Sequence, residues 1–330
     1  MTAEPITEVI EAGAEASGRA ARRLAAGGLV AFPTETVYGL GADATDGPAV
    51  ARLYAAKGRP AFNPLIAHVP DLAAARMLAH FDGTAERLAA AFWPGPLTLV
   101  LPKTPDCPVA ALATAGLDTI ALRAPDHPVA RDILRAFGRP VVAPTANRSG
   151  HVSPTTAQHV LADLAGRVDL IVDGGATPMG LESTIVACLE RPVLLRPGAL
   201  PRNKIERIVA LSGPAPSAPT GAAEDDAPIA PGQLASHYAP RAHLRLAARS
   251  VAPGESLLAF GPVLVAGAAQ ASVVLNLSER GDLVEAAANL FSHLRTLDAA
   301  GAATIAVMPV PQDGLGEAIN DRLARAAAPR

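Results

Sequence analysis

Apolar positions along this chain follow two rhythms, one of short continuous runs and one of helical spacing. Arg19–Ala26 reads as a helix that Gly27 and Gly28 stop, and Leu29–Phe32 after it as a short buried strand. Pro48–Lys57 puts Val50, Leu53 and Tyr54 on one helical face, and Gly58 and Pro60 end it. Pro64–Val69, Leu97–Leu101, Thr119–Arg123, Val141–Ala143, Leu170–Val172, Thr184–Ala187 and Val193–Leu195 are expected strands. Helices are expected over Asp71–Ala79, Thr84–Phe92, Pro128–Phe137 and Thr156–Leu164. So many strands mixed with helices predict an open α/β sheet with some antiparallel pairing.

The texture changes after Ser212. Residues 213–241 carry Pro214, Pro216, Pro219, Pro228, Pro231 and Pro240 with small and acidic residues, the composition of a linker. Structure is expected to resume with strands at Ser256–Phe260, Val273–Leu277 and Thr304–Val310. Helices follow at Leu283–Leu297, apolar at 283, 287, 290, 294 and 297, and at Leu315–Ala327. Domains are therefore expected at 1–212 and 242–330, joined by the linker 213–241; the second is a small βαβ-type module.

Composition narrows the function classes. Half of the 330 residues are hydrophobic, which suits a large core, and the net charge of −3 argues against a protein that coats nucleic acid or anionic membranes. Two cysteines, Cys107 and Cys188, without metal-type spacing predict neither a disulfide framework nor a zinc site, and fit a reducing cytoplasm. The acidic N-terminal stretch is not that of a signal peptide, and no apolar run is long enough for a membrane span.

The common nucleotide signatures do not fit. Gly39-Leu40-Gly41-Ala42-Asp43-Ala44 matches a loose dinucleotide pattern, but Pro33 to Tyr38 separate it from the strand, and Arg59 stands where a ribose-binding acid belongs. No Walker A, zinc-protease or nucleophile-elbow sequence occurs. Candidate chemistry lies instead in polar islands next to apolar runs. Pro33 to Gly41 offers Thr34, Glu35, Thr36 and Tyr38 in what reads as a strand-to-helix loop, with Gly39 and Gly41 allowing close approach of a ligand. Lys57 and Arg59 precede Asn63 and then His68 at the end of an apolar run. A cation about 4 Å from a phosphate gains ~4 kcal/mol at an effective dielectric near 20, against ~0–1 kcal/mol for an exposed pair. Helix dipoles also favour basic residues at such a C-terminus, so these cations alone decide nothing. Arg123 ends a strand as a carboxylate clamp would, though an ordinary ion pair suits it equally. Residues 143–155 crowd hydroxyls, an amide and an arginine ahead of a helix, as anion sites and plain helix caps both do.

Taken in order, PTETVYGLG at 33–41, KGRP and NPLIAHV within 57–69, LRAPDHP at 122–128, APTANRSG at 143–150, ESTIV at 182–186 and LLRPG at 194–198 resemble the threonylcarbamoyl-AMP synthase family, the YrdC-like enzymes of tRNA modification. HYAP at 237–240, NLFSHLRTLD at 289–298 and GLGEAINDRL at 314–323 resemble its longer, two-domain branch, so the likeness spans nearly the whole chain. It implies a YrdC-like open twisted mixed sheet with helices, plus a small C-terminal Rossmann-like α/β domain; the resemblance does not settle that domain's job, and a lid or regulatory unit is the expectation. It implies that threonine and bicarbonate form a carbamate that attacks the α-phosphate of ATP, with Mg2+, expelling pyrophosphate. By that resemblance Lys57 and Arg59 neutralise the triphosphate, and Asn63, Thr119, Thr145, Ser153, Arg196 and Tyr238 complete the ATP site. Thr36, His68, Arg123, the Ala143 backbone and Ser183 would hold threonine. The family often has serine where Thr145 stands, but the hydroxyl is retained. No covalent nucleophile is evident and no protein metal site is implied. The product would pass to downstream tRNA threonylcarbamoyl-transfer machinery. Another class, an RNA-binding module of the same fold without ATP turnover, is disfavoured by the net charge and by only 3% aromatic residues for base stacking; any direct RNA binding is expected to be weak. A carbamoyl-adenylate product, as in larger carbamoyl-transfer enzymes, ranks low because the zinc-binding cysteine segments of those enzymes are missing.

Overall fold

A computed structural model describes residues 6–212 and 237–329. The expected residues 213–236 of the linker lie outside the described residues. In chain order the first body comprises β1 (Glu8–Glu11), α1 (Ala16–Ala25), β2 (Val30–Pro33), β3 (Tyr38–Asp43), α2 (Gly47–Lys57), β4 (Ile66–His68), α3 (Leu72–Arg76), α4 (Gly83–Phe92) and β5 (Leu97–Pro102). It continues with β6 (Thr119–Arg123), α5 (Pro128–Phe137), β7 (Val141–Val142), α6 (Ala157–Leu164), β8 (Leu170–Asp173), β9 (Thr184–Cys188), β10 (Pro192–Arg196) and α7 (Arg202–Glu206). Its strands form one sheet in the order β1-β8-β2-β3-β7-β4-β6-β5-β9-β10. Pairing is mixed, parallel at β4–β6 and β5–β9 and antiparallel at β2–β3 and β9–β10. An open mixed α/β sheet was the expectation, and it holds.

The second body contains β11 (His243–Arg245), β12 (Ser256–Ala259), β13 (Val274–Asn276), α8 (Leu283–Ala299), β14 (Thr304–Val307) and α9 (Gly316–Ala327). Its four strands, ordered β11-β14-β12-β13, are all parallel. The helical spacing at 287, 290, 294 and 297 is the buried face of α8.

One sequence expectation is corrected near the site. Residues 33–41 do not form a strand-to-helix loop. They are a hairpin, β2 to β3, with Pro33 opposite Tyr38 and Phe32 opposite Gly39. The sequence reads as a loop because β3 holds two glycines and an aspartate, poor strand formers, and is buried along its whole length, so no alternation marks it. Gly41 serves packing and not a ligand: a Cβ there would lie 2.7 Å from the Phe32 ring and 3.1 Å from Val141.

The two bodies share a core. Val37, Val152 and Leu181 from loops of the large sheet pack with Leu290, Phe291 and Leu294 of α8. These are the loops that carry the polar islands, so the second body sits against the functional end of the first.

Candidate active site

Five pieces of local structure bring the polar islands together. The hairpin turn at 34–37 is closed by the Thr34 hydroxyl, which donates to the Val37 carbonyl at 2.8 Å and lies 2.7 Å from the Thr36 hydroxyl. Helix α2 begins at Asp46, whose side chain accepts from the Ala49 amide, and ends at Gly58 in the left-handed region. That ending turns the chain so that the Arg59 amide bonds back to the Tyr54 carbonyl at 3.0 Å, and Arg59 reaches the cavity while Lys57 stays behind its wall. On β4 and β6, paired in parallel, His68 and Arg123 are register partners. The chain after β7 delivers Ala143 to Asn147. Between Leu194 and Arg196 the β9–β10 ladder shifts register, and this bulge aims the Arg196 guanidinium inward. Its Nε and Nη2 donate to the Ser183 carbonyl at 3.3 and 2.8 Å. Gly198 permits this closeness, because a Cβ there would lie 2.4 Å from the Glu182 carbonyl oxygen and 2.5 Å from the Thr184 nitrogen.

The result is a cavity open to solvent on one side. Its walls include Thr36, Arg59, His68, Arg123, Ala143, Thr145, Ser183, Arg196 and Tyr238, nine of the thirteen residues expected from sequence. Those residues come from positions 36 to 238, gathered by the sheet order just described.

Four expected residues lie outside that lining. Lys57 is buried behind the wall, its ammonium donating to the carbonyls of Thr145 and Asn147 and, at 3.3 Å, to Asn147 Oδ1. All three of its donors are thus used within the chain. Asn63 is buried as well. Its carbonyl accepts from Arg59 Nε at 3.2 Å, while its side-chain oxygen has no partner among the described residues. Ser153 donates its hydroxyl to Glu182 and is fully buried. Thr119 starts the strand that Arg123 ends, roughly 13 Å away along β6 by the usual strand rise.

Charge is distributed unevenly. Arg123 is paired with Glu35 at 2.6 Å, both side chains 5% exposed, and the other Glu35 oxygen accepts from the Asp126 amide at 3.0 Å. Lys57, Arg59 and Arg196 are buried or nearly so, yet none makes an ion pair with a carboxylate among the described residues; only carbonyl, amide and hydroxyl oxygens meet them. Burial pulls Lys57 well below its usual pKa, with Arg59 adding to the effect, and pulls Arg59 down to about 10. His68 is depressed to about 3, first by burial and then by Arg123, so its imidazole is neutral. His237 is likewise held neutral by burial and then by Arg59, Lys57, Arg196 and Arg322. A buried pocket with surplus positive charge and neutral histidines suits a polyanionic ligand next to a zwitterionic one.

Several functional neighbours were not assigned from sequence. Glu35 orients Arg123, Asn147 holds Lys57 and accepts from the Thr145 hydroxyl at 2.5 Å, and Glu182 and His237 line the cavity. Each lies inside one of the polar islands, so the signal was there, but partnership between distant islands was not.

Comparison with known proteins agrees with this geometry. A family model described as "Telomere recombination" matches residues 22–198, and one described as "Threonylcarbamoyl-AMP synthase, C-terminal domain" matches residues 200–328. The threonylcarbamoyl-AMP synthase of Bacillus subtilis is 42% identical over 92% of this chain and 90% of its own length. That of Pyrococcus abyssi is 43% identical over 92% of both. The crystal structure of P. abyssi Sua5 complexed with L-threonine superposes with a TM-score of 0.87 at 38% identity, covering 98% of this chain and 97% of that one. The E. coli YciO structure, at 24% identity and a TM-score of 0.53, shares the fold of the first body. A cavity assembled from these islands, and likeness along both bodies, place the chain in the two-domain threonylcarbamoyl-AMP synthase family.

Proposed function

We propose that the chain is a nucleotidyl-transferring enzyme that makes threonylcarbamoyl-AMP and pyrophosphate from threonine, bicarbonate and ATP, for tRNA modification. One observation carries the reading: Arg59 and Arg196 line the cavity and buried Lys57 lies behind its wall, all three without a carboxylate partner among the described residues. Removing ions from water is expensive unless an opposite charge compensates, and a triphosphate supplies that charge when it binds.

In this reading Arg59 and Arg196 bind the phosphates directly, with Thr145 and Tyr238 beside them. Lys57 acts from behind the wall, fixing the 145–147 turn and adding to the field. The buried Asn63 side-chain oxygen, without a partner among the described residues, is an acceptor left over beside Arg59. Thr119 and Ser153 remain on the nucleotide side as expected from the resemblance, Ser153 acting through Glu182. Arg123, held by Glu35, meets the threonine carboxylate. Neutral His68, with Thr36, Ser183 and the Ala143 backbone, holds the rest of the amino acid.

Bicarbonate carboxylates the threonine nitrogen with loss of water. The carbamate oxygen then forms a bond to the α-phosphorus, and the bond from that phosphorus to the bridging oxygen breaks, releasing pyrophosphate. The chain's work is positioning and charge neutralisation, as in phosphoryl transfers generally. Mg2+ enters with ATP as part of the substrate; among the described residues no group of three or more His, Cys, Asp or Glu gathers to hold a metal. The two sheets support a division near 1–212 and 242–330, with the end of the linker, His237 and Tyr238, closing one wall. The product is passed to tRNA threonylcarbamoyl-transfer machinery in the cytoplasm. Among the described residues no helix is long and apolar enough to cross a membrane.

The test is pyrophosphate release by the purified chain, with mass analysis of the adenylate. Release should require both threonine and bicarbonate. Equal release without threonine overturns the assignment, and salt-dependent tRNA retention without ATP turnover would favour an RNA-binding module.

A further inference from the structure

Helix α9 approaches the cavity wall from the second body through Arg322, and the Arg325 carbonyl accepts from the His237 amide at 3.3 Å. Arg322 is fully buried, and its guanidinium is shared among separate parts of the chain. Nε donates to Glu182 Oε2 at 2.8 Å and Nη2 to the Pro197 carbonyl at 3.0 Å, while Nη1 meets Asp321 on its own helix. Its face lies 5.1 Å from the centre of the Tyr238 ring, which stacks on Phe291 of α8 from 5.6 Å. The second Glu182 oxygen accepts the Ser153 hydroxyl. Glu182 and Tyr238 both line the cavity.

We propose that Arg322 is a positioning residue for the reaction: it fixes Glu182, and through it the Ser153 hydroxyl, while seating Tyr238, so that the second body completes the nucleotide site. The proposal rests on the function given above. A planar guanidinium is required for this. Lysine could meet Glu182, but its compact ammonium has no second arm for Pro197 and no flat face for Tyr238. Without Arg322, Glu182 becomes a buried carboxylate lacking its main counter-charge, and it no longer serves Ser153 in the same geometry. A different contact between the bodies separates positioning from docking. Arg202 of α7 and Glu317 of α9 pair at 2.8 Å with side chains 19% and 22% exposed, and neither lines the cavity.

The experiment compares full-length variants in threonine-dependent pyrophosphate release with ATP varied. Arg322→Met and Arg322→Lys should lower kcat/KM for ATP on the order of a hundredfold, the scale of a misplaced reacting group. Glu317→Gln, which weakens docking alone, should stay within about twofold of wild type. The double variant Arg322→Met/Glu182→Gln should regain about tenfold over Arg322→Met, because glutamine keeps an acceptor for Ser153 and leaves no buried charge. Hydrogen exchange supplies a readout independent of turnover. The Ala239 amide, bonded to the Gly150 carbonyl at 2.9 Å, should exchange faster in Arg322→Met but not in Glu317→Gln. If Arg322→Met does not fold, Arg322→Lys and the double variant carry the comparison. Arg322 variants matching Glu317→Gln in both rate and exchange, or a double variant no better than the single one, overturn the proposal. A wild-type chain that releases no pyrophosphate overturns the functional reading instead, and the exchange comparison still decides whether Arg322 seats Tyr238.

Discussion

Replacing Glu35 with glutamine tests how the amino-acid end of the cavity is built. In the free chain Glu35 is the counter-ion of Arg123, at 2.6 Å in a pair whose side chains are each 5% exposed. Coulomb's law puts the gross attraction at about 6 kcal/mol for an effective dielectric near 20. Breaking such a buried pair by removing one charge costs about 3–5 kcal/mol net. Glutamine keeps one acceptor, for either Arg123 or the Asp126 amide, so the lower end of that range applies. At ~2–4 °C per kcal/mol for a domain of this size, the unfolding midpoint should fall by roughly 10 °C. Threonine should then recover part of the loss. Its carboxylate supplies the charge that Glu35 gave up, so the ligand should raise the midpoint of Glu35→Gln more than that of wild type. The assay is thermal unfolding with and without saturating threonine, followed by near-ultraviolet circular dichroism. A variant that melts within about 2 °C of wild type would refute the burial argument. An equal threonine shift in both proteins would refute the role of Arg123 as the carboxylate clamp.

Three further outcomes are expected. Arg59→Ala should lower kcat/KM for ATP by about thirtyfold or more, from the ~2–5 kcal/mol attached to a desolvated charge contact, while the thermal shift given by threonine persists; loss of that shift instead would misplace Arg59. The His68 pKa is held near 3 by burial and then Arg123, so below about 6.5 the unfolded chain takes up a proton that the folded chain refuses. Stability should therefore fall as pH drops from about 6.5 towards 3, with no contribution above that window, and the urea midpoint of His68→Asn should lose less than that of wild type between neutral and mildly acidic pH. Burial pushes the Cys188 thiol up to about 12 while Cys107 is half-buried; iodoacetamide followed by mass mapping should label Cys107 alone in the folded protein and both after denaturation.

Much of the local structure was legible along the chain. Helix α2 was readable because proline starts it, glycine ends it and Val50, Leu53 and Tyr54 share a face. β6 was readable because Thr119 and Ile120, good strand formers, open a short apolar run through Leu122. β3 was not, since Gly41 is selected by close packing against Phe32 and Val141 and Gly39 lies against Ala143, a neighbour effect that no local pattern records. β11, three residues long, carried too few positions to show any period.

For the site, the sequence by itself determined the inventory: the polar islands, their order, and the residue types that handle phosphate and carboxylate. Tertiary structure alone decided the partnerships. It paired Arg123 with Glu35, left Lys57, Arg59 and Arg196 without carboxylates among the described residues, and turned Lys57 behind the wall. It also placed Arg322, 140 residues beyond Glu182, within hydrogen-bond reach of it. The physical reason is that residue type fixes what a side chain can donate, accept or neutralise, whereas burial and distance fix which of those capacities remains free for a ligand. Capacity is written residue by residue; what is left over exists only once the sheet has closed around it.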